Sequence, residues 1–222
     1  MTNLFYIAVN YDRSIIVAKQ GHTPEDAAQD GGAPVVSFQS LAPELKLGQR
    51  IPSVKILNQS DARPWHLQEV LPSNGTWRII IFPGDITSQG PKTQLQKLCD
   101  YLGSPKSLLK RFTPNDARYD SVIEILTIHA APRHSVDIFD FAEVLRPYDE
   151  VDGWDYNKIF VDDQSYHEGH GQLYETFGIC REEGCLVILR PDQYISYVGK
   201  VADGESIDRF FSAFMLPQNG KA

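Results

Sequence analysis

The hexapeptide Trp77-Arg78-Ile79-Ile80-Ile81-Phe82 limits the fold more than any other part of the sequence. After its arginine every position is apolar, and the run ends at Pro83-Gly84. An alternating pattern would leave one face of a strand in water. A continuous one bounded by breakers describes a strand covered on both faces, at the centre of a sheet with layers above and below. Ser121 to Ile128 reads as a second strand, and Lys158 to Val161 as a shorter third that ends at the acidic pair Asp162 and Asp163. Val54, Ile56 and Leu57 form another, followed by turn residues Asn58 to Arg63, then by Trp65-His66-Leu67 and a short turn ending at Pro72. Cys185 to Leu189 and Tyr194 to Val198 flank Arg190-Pro191-Asp192-Gln193 as the arms of a hairpin.

Helices are predicted from Pro91 to Leu102, where Pro91 suits a first turn, and from Gly171 to Phe177. A last one starts near Asp203 and carries Ile207, Phe210, Phe211 and Phe214 at helical spacing. Strands alternating with helices, closed by a hairpin and a helix, describe an α/β chain: a mixed sheet with helices on its faces. Upstream, Leu4 to Val17 alternates imperfectly, as an extended arm would, and Gly21 to Ala33 has the composition of a loop. The expected division is therefore an arm and loop, 1–47, and one domain, 48–222. Ala130 to Asn157 is a long insertion with room for surface structure or an interface.

The 222 residues carry 21 Lys and Arg against 29 Asp and Glu, a formal net charge of -8 that disfavours nucleic acid and anionic lipid as partners. No stretch has the length of an apolar membrane span, and the first eleven residues lack the charged start of a secretory signal, so a cytoplasmic address is expected. Cys99, Cys180 and Cys185 form no CxxC pair and are expected to be reduced, buried thiols.

Several blocks in one order carry a family resemblance. Asn10-Tyr11 with Ser14, Gly48-Gln49-Arg50-Ile51-Pro52, and Asp61-Ala62-Arg63-Pro64 with His66-Leu67 come first. Trp77 to Asp85 follows, then the longest block: Phe160-Val161-Asp162-Asp163, Tyr166-His167-Glu168-Gly169-His170-Gly171, Tyr174, and Arg190-Pro191-Asp192-Gln193-Tyr194. Together they resemble the C-terminal domain of FAD-dependent phenol hydroxylases over nearly the whole chain. The resemblance implies a thioredoxin-like fold, with the extended arm before it, and a role in assembly. The family's glycine-rich dinucleotide fingerprint and flavin domain are not found from Met1 onward, so no cofactor and no independent hydroxylation are expected. The implied partners are a second copy, as a homodimer, or a separate flavin monooxygenase. A segment of a longer hydroxylase is a further alternative.

A redox thioredoxin needs a nucleophilic cysteine where the first helix begins. Gly84-Asp85-Ile86-Thr87-Ser88 occupies that place, so thiol exchange is not expected. A rival reading is a small cofactor-independent enzyme acting on a phenolic or polyketide-like compound. Its candidate acid-base residues are His167, His170, Asp85 and Tyr166. The histidine cluster also invites zinc, but its spacing is not HExxH; Asp162 or Asp163 capping the next helix, with the histidines bonded to backbone, is the expected arrangement, without metal. Arg190, Asp192, Tyr194 and Trp65 are candidate contacts for a flat phenolic ligand, against the alternative of an internal Arg190–Asp192 pair that orders a turn.

Overall fold

A computed structural model describes residues 9–19 and 35–218. Its strands are β1 (Lys55–Asn58), β2 (Pro64–His66), β3 (Trp77–Phe82), β4 (Ile123–His129), β5 (Tyr148–Asp149), β6 (Gly153–Trp154), β7 (Ile159–Val161), β8 (Gln164–Ser165), β9 (Gly169–His170), β10 (Cys185–Leu189) and β11 (Ile195–Gly199). The α-helices are α1 (Gln89–Gly103), α2 (Leu108–Phe112), α3 (Leu173–Phe177) and α4 (Gly204–Ser212). Seven strands join in the order β11-β10-β3-β4-β7-β1-β2. β3 runs parallel to β4, and β4 to β7, while the remaining pairs are antiparallel.

The continuous apolar run becomes the sheet's interior for the reason its sequence suggests. Ile79 and Ile81 face Leu95 and Leu98 of α1 and the α4 residues Ile207 and Phe210. Ile80 and Phe82 face the opposite way, toward Tyr174 and Phe177 of α3 and toward Leu45 and Leu47. Successive side chains of a strand alternate faces, so two apolar layers demand a strand that is apolar throughout. The block β11-β10-β3-β4, with α1 after β3, α3 before β10 and α4 last, is the thioredoxin plan, and β7, β1 and β2 widen it.

Some boundaries differ from the sequence expectation. Helix α1 begins two residues early, after Ser88, which leaves Pro91 inside the first turn, where its missing N–H has no intrahelical partner to lose. Trp65 and His66, to which the sequence reading gave no element, lie in β2, and the turn expected before Pro72 is a 3-10 turn over Leu67–Val70. The five-residue α2 was not anticipated: it is too short for a periodic signal, and the Ser107 hydroxyl lies 3.5 Å from the Lys110 N–H at its start while Leu108 and Phe112 are buried.

The extended arm is visible from Val9. The Tyr11 N–H donates to the Gly48 carbonyl, and the Ala18 N–H to Ser196 of β11. With Phe38 N–H bonding Val198, these segments cover the outer side of β11, a strand that would otherwise present unpaired groups. Residues 4–8 of the expected arm and the 21–33 loop lie outside the described residues. The insertion holds three single 3-10 turns and the β5–β6 hairpin. No helix among the described residues is long and apolar enough to cross a membrane.

Candidate functional site

The parallel strands β3, β4 and β7 all end on one side of the sheet, where open α/β sheets place ligands and where a thioredoxin keeps its cysteines. Here the β3–α1 connection opens with Gly84 at φ +83, and a Cβ there would meet the Arg181 carbonyl oxygen at 2.0 Å. Only glycine tolerates both conditions. The Gly84 N–H donates to the Tyr174 hydroxyl at 2.9 Å, which itself donates to the Ile128 carbonyl at 2.8 Å. One fully buried phenol thus locks the loop to the end of β4, and burial raises its pKa well above the ordinary tyrosine value. Asp85 turns back on its own loop: its carboxylate accepts from the Thr87 N–H and hydroxyl, and its N–H donates to Arg181.

Beyond β7, the buried Asp162 carboxylate accepts from the Leu173 and Tyr174 N–H groups at 2.8 and 3.0 Å, capping α3. Arg181 stands 3.6 Å away and also binds Glu175. Asp163 accepts from the N–H groups of Arg133 and Gln164; burial opposes its ionisation, but those bonds outweigh it and hold its pKa below the usual carboxylate value. His170 sits 3.7 Å from Asp162, with its Nδ1 accepting from the Gln172 N–H at 2.7 Å. His167 and Tyr166 pack edge to face on the exposed β8–β9 turn, where Tyr166 is 94 % exposed. Of the four candidate acid-base residues, His170 adjoins Asp162 and Asp85 reaches the same region through Arg181; His167 and Tyr166 stand apart in solvent.

One titratable residue at this end was missed. His129, the last residue of β4, is wholly buried. The Gln59 amide nitrogen donates to the Arg133 and Val136 carbonyls, so its oxygen faces His129 Nε2 at 2.9 Å. That network assigns the imidazole proton to Nε2 and leaves Nδ1 without a hydrogen bond among the described residues. Burial pulls the His129 pKa down to about 4, against the pull of Asp163 and Asp85. A histidine one place beyond an apolar run reads as a strand boundary, which is why sequence alone did not single it out.

No thiol lies in the β3–α1 connection. Cys99 and Cys185 are buried as expected, and burial pushes the Cys99 thiol up to about 12, with Asp100 adding to the shift. Cys180 corrects the expectation: it is exposed, in the connection after α3, with its Sγ 3.0 Å from Glu182. Its apolar neighbour Ile179 turns inward while it turns out, because the connection lacks the regular facing of a strand.

The aromatic candidates divide between two places. Arg190 binds Asp192 through Nε and Nη2 at 3.1 and 2.5 Å, and its guanidinium lies 4.2 Å from the Tyr11 ring and 5.6 Å from Tyr194. Tyr11 meets Tyr194 edge on at 4.9 Å, so this cluster fastens the arm to the hairpin. Trp65 sits on β2, the other edge strand, beneath Arg63 at 4.2 Å.

Residues 9–219 match the family described as the phenol hydroxylase C-terminal dimerisation domain. The chain belongs to that family. Among similar curated proteins, an FAD-dependent monooxygenase of Aspergillus terreus, terD, is 37% identical over 187 residues, covering 84% of this chain and 30% of the relative. The phenol 2-monooxygenase fsqG of Aspergillus fumigatus is 36% identical over 206 residues, 92% of this chain and 31% of the relative. A 3-hydroxybenzoate 4-monooxygenase of Comamonas testosteroni is 33% identical over 182 residues, 81% of this chain and 28% of the relative. The chain therefore spans less than a third of the length of these relatives. Among solved structures, a thiol:disulfide interchange protein from Bacteroides sp. aligns with a TM-score of 0.47 at 10% identity, over 76% of this chain and 92% of that one.

The domain carries a second polar cluster at the opposite ends of the same strands. Arg78 of β3 is fully buried; its Nε donates to Glu124 at 2.8 Å, and its Nη atoms bind the Pro72 and Thr76 carbonyls and Asn74. Lys158, just before β7, binds Glu124 and Asp120 and lies 3.4 Å from Asp155. Burial alone would lower the Lys158 pKa, but Glu124 and Asp120 outweigh it and raise it. Arg118 closes the network through Asp120 and Asp155.

Proposed function

We propose that the domain works as an assembly module that joins a second copy of itself, without thiol chemistry of its own. The match to a dimerisation-domain family over residues 9–219 carries this reading. The insertion supplies a surface of suitable character. Phe139 and Tyr148 are more than half exposed, and Val151, between β5 and β6, is 91 % exposed. Trp154 stands 5.0 Å from Tyr148 and 5.9 Å from Phe139, and the Arg146 guanidinium lies against both Phe139 and Trp154. Aromatic side chains with arginine among them are enriched at interfaces, and a cluster of this kind is costly to leave in water. Asp137, Asp140, Asp149, Glu150 and Asp152 fall within a few positions of these residues in sequence and give the segment an acidic character.

Sedimentation or light scattering over a wide concentration range tests the reading. The wild-type chain is expected to dimerise, more tightly as salt screens the two acidic segments that a two-fold contact brings together. The double variant Tyr148→Glu with Val151→Glu is expected to weaken the dimer by at least about tenfold, equivalent to about 1.4 kcal/mol. A strictly monomeric mass would refute self-association. Because the matched relatives include FAD-dependent monooxygenases in which the aligned part is less than a third of the length, a separate flavin monooxygenase is the alternative partner. Co-elution of a mixture of the two proteins, with no dimer of this chain alone, would favour it.

A further inference from the structure

Beside the Lys158 network, a recess of about 510 Å³ runs from the surface down to the sheet. Ile123 and Ile125 of β4 form its floor, with Leu102 at the end of α1; Leu109 and Val144 stand along its sides, and Tyr119, Asp120 and Lys158 close one end. The recess lies within the size range of small-molecule sites, about 300–1,000 Å³. We propose that it binds an uncharged, largely apolar molecule of one or two rings, bearing a hydroxyl that donates to Asp120.

Charge balance selects the class. Asp120, Glu124 and Asp155 stand against Arg78, Arg118 and Lys158, with the more exposed Asp152 a fourth carboxylate on Arg118, so every cation of the network is already engaged. Lys158 Nζ donates to Asp120 and Glu124 and lies 3.4 Å from Asp155, so an anionic ligand at that end would face carboxylates that already hold the cation. A cationic one would be set against Arg118 and Lys158. Asp120 nevertheless retains acceptor capacity: one oxygen receives Arg118 and the other Lys158, and each carboxylate oxygen can accept a second bond. The Tyr119 hydroxyl donates to Asp155 at 3.2 Å; burial, with Asp120 and Asp155 adding to it, raises its pKa to about 12, so it stays neutral beside the ligand. Lys110 and Arg111 lie at the mouth, where Arg111 is bound to Asp208.

Enclosure argues for a small molecule over a protein face. Residues of β4, of the end of α1, of α2 and of the insertion line one recess of about 510 Å³, which a flat surface would cap without filling. The exposed aromatic residues suited to a protein contact stand outside, on the insertion.

Calorimetric titration of the full chain with 2-naphthol, naphthalene and 2-naphthoate tests the proposal. Binding of 2-naphthol is expected, with naphthalene weaker by about tenfold for the lost hydrogen bond and 2-naphthoate weaker still. Ala117→Trp places an indole at the rim and is expected to weaken 2-naphthol by at least about tenfold while leaving the melting temperature unchanged; Val144→Phe, which fills the recess from another wall, serves if that variant misfolds. The proposal fails if no neutral probe binds at millimolar concentration, if 2-naphthoate binds as tightly as 2-naphthol, or if both folded variants bind 2-naphthol like the wild type. It also fails if filling the recess dissociates the dimer with no probe bound, which would make it a socket for a partner's side chain.

Discussion

The two ends of the parallel strands solve the same problem with different partners. Where β3, β4 and β7 begin, buried charge meets buried charge: Arg78, Glu124 and Lys158 neutralise one another through side chains. Where the strands end, polar groups meet backbone or a neutral side chain: Asp162 takes the amides of α3, Tyr174 bridges Gly84 and Ile128, and His129 leans on the Gln59 amide. The first arrangement depends on residues distant in sequence being charged together. The second depends on chain geometry, which a neutral side chain of the right shape can maintain. Removing a member of the first leaves an uncompensated charge, whereas removing one of the second leaves an unmade hydrogen bond.

That contrast predicts a ranking. Arg78→Ala is expected to be the most damaging change, lowering stability by about 3 to 5 kcal/mol, because Glu124 loses a buried partner and two backbone carbonyls lose their donor. Urea unfolding measures it. Arg78→Lys should recover only part, since an ammonium cannot reproduce the guanidinium fork. A loss below about 1 kcal/mol for Arg78→Ala would show that Lys158 alone satisfies Glu124, and the distinction between the two ends would collapse.

At the other end, Tyr174→Phe keeps the ring packed against Phe82 and deletes only the bridging hydroxyl. A loss of about 1 to 3 kcal/mol is expected by the same measurement. Amide exchange at Gly84 should quicken at the same time, because its N–H loses its acceptor. A variant as costly as Arg78→Ala would mean that the phenol holds more than the loop.

The smallest effect at neutral pH concerns His129. Its folded pKa of about 4 lies below the ordinary 6.5, so between those values the unfolded chain binds more protons than the folded one. Stability contributed by the neutral imidazole is therefore fully present above about 6.5 and is lost as pH falls toward 4. His129→Gln should flatten that part of the pH–stability curve. An unchanged slope would assign the acid sensitivity to other groups.

Local pattern made much of this molecule legible. The apolar run of β3, the phenylalanine spacing of α4 and the Arg190–Asp192 turn each express an interaction within a few residues, so their structural meaning is written next to one another in the chain. Asp162 or Asp163 was expected to cap α3; Asp162 does so, across 11 and 12 positions that the β8–β9 hairpin folds back. Pro91 stands in the first turn as its residue type suggests, with the helix starting two residues earlier, whereas Cys180 departed from the expectation because it lies in a loop whose facing no periodicity sets.

The sequence by itself therefore determined the layers: which segments are buried on both faces, which helices cover them, and that no thiol stands after β3. Only the tertiary structure brought Arg78, Asp120, Glu124 and Lys158 to one end of the sheet and opened a recess beside them. It alone set His129 against Gln59, 70 positions away. Hydrophobic periodicity is a property of neighbouring residues and survives in a linear reading. A charge network or a cavity is a property of separated segments, and it exists only once β3, β4 and β7 lie side by side.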